Sequence, residues 1–159
     1  VPDSLADGRT RVAWVPSIAS QAAPTVAELN AGTLLHDTMT PDGLEGFEAS
    51  TAKVDNSSLG STFDTGVPGR GSFDGTLLRL KKQTGTDTLF NFFVRDVSGF
   101  VVVRRSLDKN TAWAAAQKVE VYPATTGETR ILKPEGNSVE KYEVPTMITN
   151  SPSLRATVA

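Results

Sequence analysis

Residues Thr88 to Arg105 read TLFNFFVRDVSGFVVVRR, two runs rich in aromatic and β-branched side chains on either side of Asp96-Val97-Ser98-Gly99. Such side chains favour a pleated, half-buried backbone, and an Asp-to-Gly tetrapeptide has the chemistry of a short turn. Leu89 to Arg95 and Phe100 to Arg105 are therefore predicted to form a β-hairpin. On its first strand Phe90, Phe92 and Val94 share one face, and Leu89 and Phe93 the other; on its second, Phe100 and Val102 oppose Val101 and Val103. Both faces are apolar. An antiparallel hairpin that wets one face carries polar residues there, so this one is either sandwiched between layers or completed by another subunit. Arg95, Asp96, Arg104 and Arg105 flank the apolar runs as charged gatekeepers against edge-to-edge aggregation.

Upstream, Phe73 to Lys82 reads as a strand with Thr76, Leu78 and Leu80 on one face, leading through Gly85 into the hairpin. Arg11 to Ile18 alternates as a strand that bends or ends at Pro16. Thr25 and Glu28 have capping-box spacing and Gly32 closes the segment, which predicts a helix of about two turns lying on the sheet through Val26 and Leu29. Leu34 to Met39 is a short strand ending at the turn Pro41-Asp42-Gly43, and Phe47 to Val54 a weaker one. Downstream, Asp108 or Asn110 caps a second short helix through Trp113 to Ala116. Val119 to Tyr122 is a strand stopped by Pro123, Arg130 to Leu132 a brief pairing, and Val139 to Ile148 the last long strand. The fold class is mainly β, an antiparallel sandwich or barrel with one or two short helices packed on it. Residues 1–159 are expected to be a single domain, with arms at 1–8 and 152–159. Leu154 to Val158 is a final edge strand or part of the tail.

Asp55 to Ser72, DNSSLGSTFDTGVPGRGS, is the longest stretch of turn chemistry, and loops of that length are usually functional or disordered. Leu59, Phe63 and Val67 are spaced through it as they would be if the loop closed onto a neighbouring molecule.

The chain has no cysteine, which removes disulfides, thiolate metal sites and thiol nucleophiles. A formal charge of −2 supplies no basic patch for tight nucleic-acid binding. No apolar run reaches the roughly 20 residues of a membrane span, and the opening residues do not read as a signal peptide, so a soluble chain made in a cytoplasm is expected. His36 is the only histidine, and its neighbour Asp37 would point to the opposite face of a strand, which argues for a structural or surface role. The carboxylate pairs Asp55 with Asp64 and Asp108 with Glu120 lack metal-ligand spacing. Asp64-Thr65-Gly66 matches the DTG of retroviral-type aspartic proteases but sits in a Gly/Pro-rich segment without a second copy, where it is ordinary turn sequence. TGVPGRGS lacks the ending of a phosphate loop. No catalytic, cofactor or metal residues are predicted.

The order of RVAWVPSIAS at Arg11 to Ser20, APTVAELNAGT at Ala23 to Thr33, STFDTGVPGR at Ser61 to Arg70, GFVVVRRS at Gly99 to Ser106 and VEVYP at Val119 to Pro123 resembles the major tail tube proteins of long-tailed, siphovirus-type bacteriophages, especially those of actinobacteria. The resemblance implies a β-sandwich subunit assembled as hexameric rings, stacked into the tube that carries DNA during ejection. It also implies a virion-tail location after assembly in the host cytoplasm. The implied partners are further copies of the chain and tape-measure, tail-terminator and tail-tip proteins, with DNA passing through the lumen without specific binding and no membrane contact. Subunit contacts are expected at Phe90, Phe92, Phe93, Phe100 and Val102 in the hairpin and at Leu59, Phe63 and Val67 in the long loop. Another structural virion protein, such as a head-decoration or tail-terminator subunit, is the competing expectation. An unrelated binding module or hydrolase would need a pocket of convergent polar groups.

Overall fold

The computed structural model describes residues 2–159. In chain order the elements are β1 (Arg11–Val15), α1 (Val26–Asn30), β2 (Thr33–Leu34), β3 (Met39–Glu45), β4 (Ser50–Asp55), β5 (Gly66–Ser72), β6 (Leu77–Lys81), α2 (Thr88–Phe92), β7 (Ser98–Arg104), β8 (Lys118–Thr126), β9 (Arg130–Ile131), β10 (Lys141–Ile148) and β11 (Ser153–Thr157). Nine strands make one antiparallel sheet, ordered β2-β1-β7-β8-β10-β6-β3, with β11 added to β8 and β9 to β10. The sheet curls into a half-barrel and carries two short helices, so the expected mainly β class is what forms. β4 and β5 form a separate two-stranded sheet.

The apolar runs put β7 at the centre. It pairs with β1 from Arg104↔Arg11 to Phe100↔Val15 and with β8 from Ser98↔Thr125 to Val103↔Glu120. Val101 and Val103 face the inside of the curl, where Val12, Trp14 and Tyr122 meet Leu78, Leu80, Tyr142 and Val144. Val102 faces a second core with Ala13, Val15 and Val121, covered by Leu29 of α1, Trp113, Ala156 and Val158. The doubly apolar second run is thus sandwiched between layers of its own subunit. Each such valine withdrawn from water contributes about 1.5–3 kcal/mol.

The first run is not its hairpin partner. Asp87 is buried and its carboxylate accepts from the Phe90 amide at 3.2 Å and the Gln83 amide at 2.8 Å, an N-cap that turns Thr88–Phe92 into α2. The aromatic side chains of that turn then leave it in different directions. Phe90 stands edge-on to Tyr142 at 5.0 Å, and Phe93 edge-on to Trp14 at 5.3 Å. Tertiary packing has overridden β propensity. Asp96 does turn the chain, at φ 66°, but the turn joins a helix to a strand, with the Asp96 and Val97 amides donating to Thr126.

α1 forms as its capping box predicts: Thr25 Oγ1 accepts from the Glu28 amide at 3.2 Å and Glu28 Oε1 from the Thr25 amide at 2.9 Å. At five residues it is shorter than two turns. The helix expected at Trp113–Ala116 is absent, and the carbonyls just before it, which would open such a helix, are claimed by buried side chains. Arg104 donates to the carbonyls of Asp108 and Ala112, and Arg11 to that of Lys109. Both guanidinium groups stack on the Trp113 ring, at 4.8 and 5.2 Å. Arg104 is therefore a fully buried core residue rather than an exposed gatekeeper.

Two expected breaks are also passed. Pro41-Asp42-Gly43 lies within β3, whose register with β6 shifts between Met39 and Leu44 to absorb the irregularity. Pro123 lies within β8 and opposite Phe100. Its carbonyl accepts from the Thr149 amide, so its missing donor faces the gap where β8 changes partner from β11 to β10 and no ladder bond is lost. The expected N-terminal arm begins at Val1, which lies outside the described residues; from Ser4 to Arg9 it lies against the Ser106–Lys109 segment. Residues 153–157, expected as an arm or an edge strand, are strand β11, and Ala156 and Val158 are buried.

Gly99 is packed so closely that a Cβ there would stand 2.7–2.9 Å from the Trp14 indole. Gly99→Val should destabilise the fold by about 1–3 kcal/mol, read from denaturant midpoints. Val102→Asp, by burying an unpaired charge, should abolish the native near-ultraviolet dichroism altogether.

Candidate assembly surfaces

The stretch from Ser50 to Ser72 is a projecting arm rather than an open loop. β4 and β5 pair from Ser50↔Ser72 to Asp55↔Gly66, with a bulge between Thr51 and Lys53. Only Gly69 along the two strands is even half-buried. The tip is held by its own polar side chains. Ser57 Oγ accepts from the Thr65 amide at 2.8 Å, Thr65 Oγ1 donates to Asn56 Oδ1 at 2.7 Å, and Ser61 Oγ donates to the Phe63 carbonyl at 2.7 Å. With the backbone satisfied this way, Leu59 and Phe63 point outward, Leu59 fully exposed and Phe63 at 76 %. Val54 and Val67, opposite each other in the ladder, are also exposed. Asp64 and Thr65 lie in extended chain that leads from the tip into β5, of which Gly66 is the first residue, and the turn itself falls at Leu59-Gly60.

Of the residues expected at subunit contacts, Leu59, Phe63 and Val67 are brought together on the arm, whereas the others are scattered. Phe93 and Val102 are buried within the subunit and have no surface for a neighbour, a correction that follows from α2 replacing a strand and from β7 lying between two cores. Phe90 and Phe100 are half-buried against the first and second core. Phe92 remains exposed, as does Val94, and the neighbouring segment, bound through Thr129 Oγ1 to the Phe93 carbonyl, ends in exposed Ile131.

His36 and Asp37 lie in the turn between β2 and β3, not on a strand. They stand 3.6 Å apart, and Asp37 also binds Lys109 Nζ at 2.5 Å. His36 Nδ1 lies 3.4 Å from the Val12 amide and extends the β1–β2 pairing by one rung. They line a cleft of about 560 Å3 with Met39, Phe47, Arg105 and Lys109. Among the described residues no group of three or more His, Cys, Asp or Glu could hold a metal ion, and no helix is long and apolar enough to cross a membrane.

The outward side of β6, β3 and β10 carries charge that the sequence did not flag. Arg79 bonds Asp42 at 2.9 Å, Glu45 at 2.7 Å and Glu143 at 2.6 Å, and Arg130 reaches the other Glu143 oxygen at 2.9 Å. Glu143 is buried, so it anchors the network. Hydrogen bonding to Glu143 holds the Arg79 guanidinium above its ordinary value. A bond from the Thr40 hydroxyl, helped by the Arg79 charge, holds Asp42 below its ordinary 3.8, and Lys109 does the same for Asp37.

The geometry defines a class: a rolled antiparallel subunit with a half-buried aromatic turn on one side and a polar-braced, apolar-tipped arm reaching away from it. The chain belongs to the family of phage tail tube proteins, which matches it over residues 1–159. It is a structural protein of the phage tail. The fold is also that of a chain in the anti-feeding prophage baseplate, 6-fold symmetrised, with a TM-score of 0.65 at 8 % identity over 98 % of both chains. No curated protein matches the sequence.

Glu143→Leu should cost about 1.5–3 kcal/mol, because it removes the charged hydrogen bonds of Arg79 and the ion pair with Arg130 at once; chemical denaturation measures it. Asp37 and Asp42 are more acidic folded than unfolded, so their contribution is complete above 3.8 and is lost as pH falls through their folded-state values. Stability measured downward from neutral pH should therefore fall in the acid range, and less steeply in an Asp37→Asn/Asp42→Asn variant.

Proposed function

We propose that this chain forms rings, six subunits to a ring, that stack into the tail tube of a long-tailed, siphovirus-type phage and enclose the path of DNA during ejection. The observation that carries the reading is the arm: an isolated two-stranded hairpin is marginal in water, and this one carries Leu59 and Phe63 exposed at its tip. A second copy covering it gives a heterologous contact, which propagates into a filament because nothing closes it. The ring size follows the six-fold symmetry of the anti-feeding prophage baseplate, whose chain has the like fold. Lateral contacts within a ring use the patch at Phe92, Val94 and Ile131, while Leu59, Phe63 and Val67 join successive rings. A net charge of −2 suits a conduit, since retained phosphate contacts would oppose sliding. The tube meets tape-measure, terminator and tail-tip proteins at its core and ends, and assembles in the host cytoplasm.

The two contact types are separable by mutation. Leu59→Asp/Phe63→Asp changes only exposed side chains and should leave monomer stability within about 0.5 kcal/mol. It should give single rings and no tubes in sedimentation and negative-stain microscopy; long tubes from this variant would overturn the stacking role of the arm.

A further inference from the structure

The root of the arm has a construction of its own. Neither β4 nor β5 pairs with a third strand, so the direction in which the arm leaves the sheet is set where its two connections meet the body. The connections mirror each other, Gly46-Phe47 going out and Phe73-Asp74-Gly75 coming back. Phe47 and Phe73 stand edge-on to the same Tyr122 ring, at 5.1 Å and 80° and at 5.8 Å and 85°. Tyr122 is a fixed anchor: it is buried in β8, and its hydroxyl donates to Glu120 Oε1 at 2.5 Å while Arg105 holds the other carboxylate oxygen at 2.5 Å. Behind the rings the two connections run side by side, one step beyond the Glu45↔Leu77 rung of β3 and β6. Gly46 and Gly75 have φ of 79° and 67°, and a Cβ on Gly46 would stand 2.5 Å from the Gly75 carbonyl oxygen. Left-handed glycines on both connections put the bends of the arm's root at torsions that glycine adopts most easily. A two-stranded arm hung on them would sweep a wide range of angles unless something beyond the backbone held it.

We propose that Phe47, Phe73 and Tyr122 are positioning residues for the arm, an aromatic clamp that sets its angle to the sheet, with the paired bends at Gly46 and Gly75 as the pivot on which it turns when the clamp is loosened. The consequence for assembly rests on the stacking role proposed above: an arm held at one angle presents Leu59 and Phe63 already oriented and loses less freedom on docking. The clamp itself is a property of the single subunit.

The test uses the full chain, which has no cysteine, with nitroxide labels at the exposed Ser58→Cys on the arm tip and Asn110→Cys in the segment braced by Arg11 and Arg104. Pulsed dipolar spectroscopy on dissociated subunits should give one narrow distance distribution. Phe73→Ala and Phe47→Leu should roughly double its width, while the near-ultraviolet dichroism of the folded core is kept. Phe73→Tyr, which retains a ring, should restore the narrow distribution. If Phe47→Leu fails to fold, Phe73→Ala decides alone, since Phe73 is only half-buried. A narrow distribution in Phe73→Ala, or a broad one in the parent, overturns the clamp, and simple core filling would lower stability without moving the distances. The broadened variants should also form tubes about tenfold more slowly. Absence of tubes from the parent protein would count against the stacking role and leave the distance result to decide the clamp.

Discussion

The burial of β7 on both faces is the constraint from which the rest of the architecture follows. A strand that presents Val101 and Val103 to one side and Val102 to the other cannot lie at the surface of a two-layer domain. It needs neighbours on both edges and cover on both faces. β1 and β8 supply the edges, and β1 is itself buried along its whole length. The cover differs in kind: on one side the sheet curls over itself through β10, β6 and β3, while on the other a set of short pieces, α1, the Trp113 segment and β11, is laid down separately. The inner core is continuous sheet, and the outer one is assembled from irregular chain that holds its shape through side chains.

Arg11 and Arg104 show how that irregular chain is held. They face each other across the β1–β7 ladder, and Arg104 is buried outright. Among the described residues no carboxylate lies within bridging distance of either. Instead their donors go to backbone carbonyls between Asp108 and Ala112 and, from Arg104, also to Gln117 Oε1, and their flat faces rest on Trp113. Burial lowers both groups from their ordinary pKa, and the mutual repulsion adds to it at Arg104. A guanidinium is weakly hydrated for a cation and rigid in its donor geometry, which is why it serves here where an ammonium would not. The arginines brace a segment without secondary structure, and the segment completes the second core.

The body so formed leaves the arm unsupported except at its root. A protein of the phage tail is a folded subunit and part of a larger object at once. The division between a doubly covered sheet and an exposed hairpin separates those two roles spatially. Polar bonding within the tip keeps the arm ordered enough to present apolar side chains, while the sheet carries the stability.

Local chemistry determined several features on its own. The Thr25/Glu28 capping box placed α1, the alternation of Leu78 and Leu80 placed β6, and Tyr142, Val144 and Thr146 placed β10, because each signal is satisfied by its immediate neighbours. The mainly β class and the doubly apolar FVVV run were legible for the same reason. What only the tertiary structure decided is where an apolar or polar residue spends its surface. FNFFV became a capped turn because Trp14 and Tyr142, distant in sequence, offered rings to Phe93 and Phe90. Arg104, read as a gatekeeper, went inside because the carbonyls after Asp108 and the ring of Trp113 were there to receive it. The turn-rich stretch after Asp55 gave Leu59, Phe63 and Val67 as contact candidates, but its glycines hid the ladder that makes it an arm. Pairing between strands depends on a partner that local sequence does not contain.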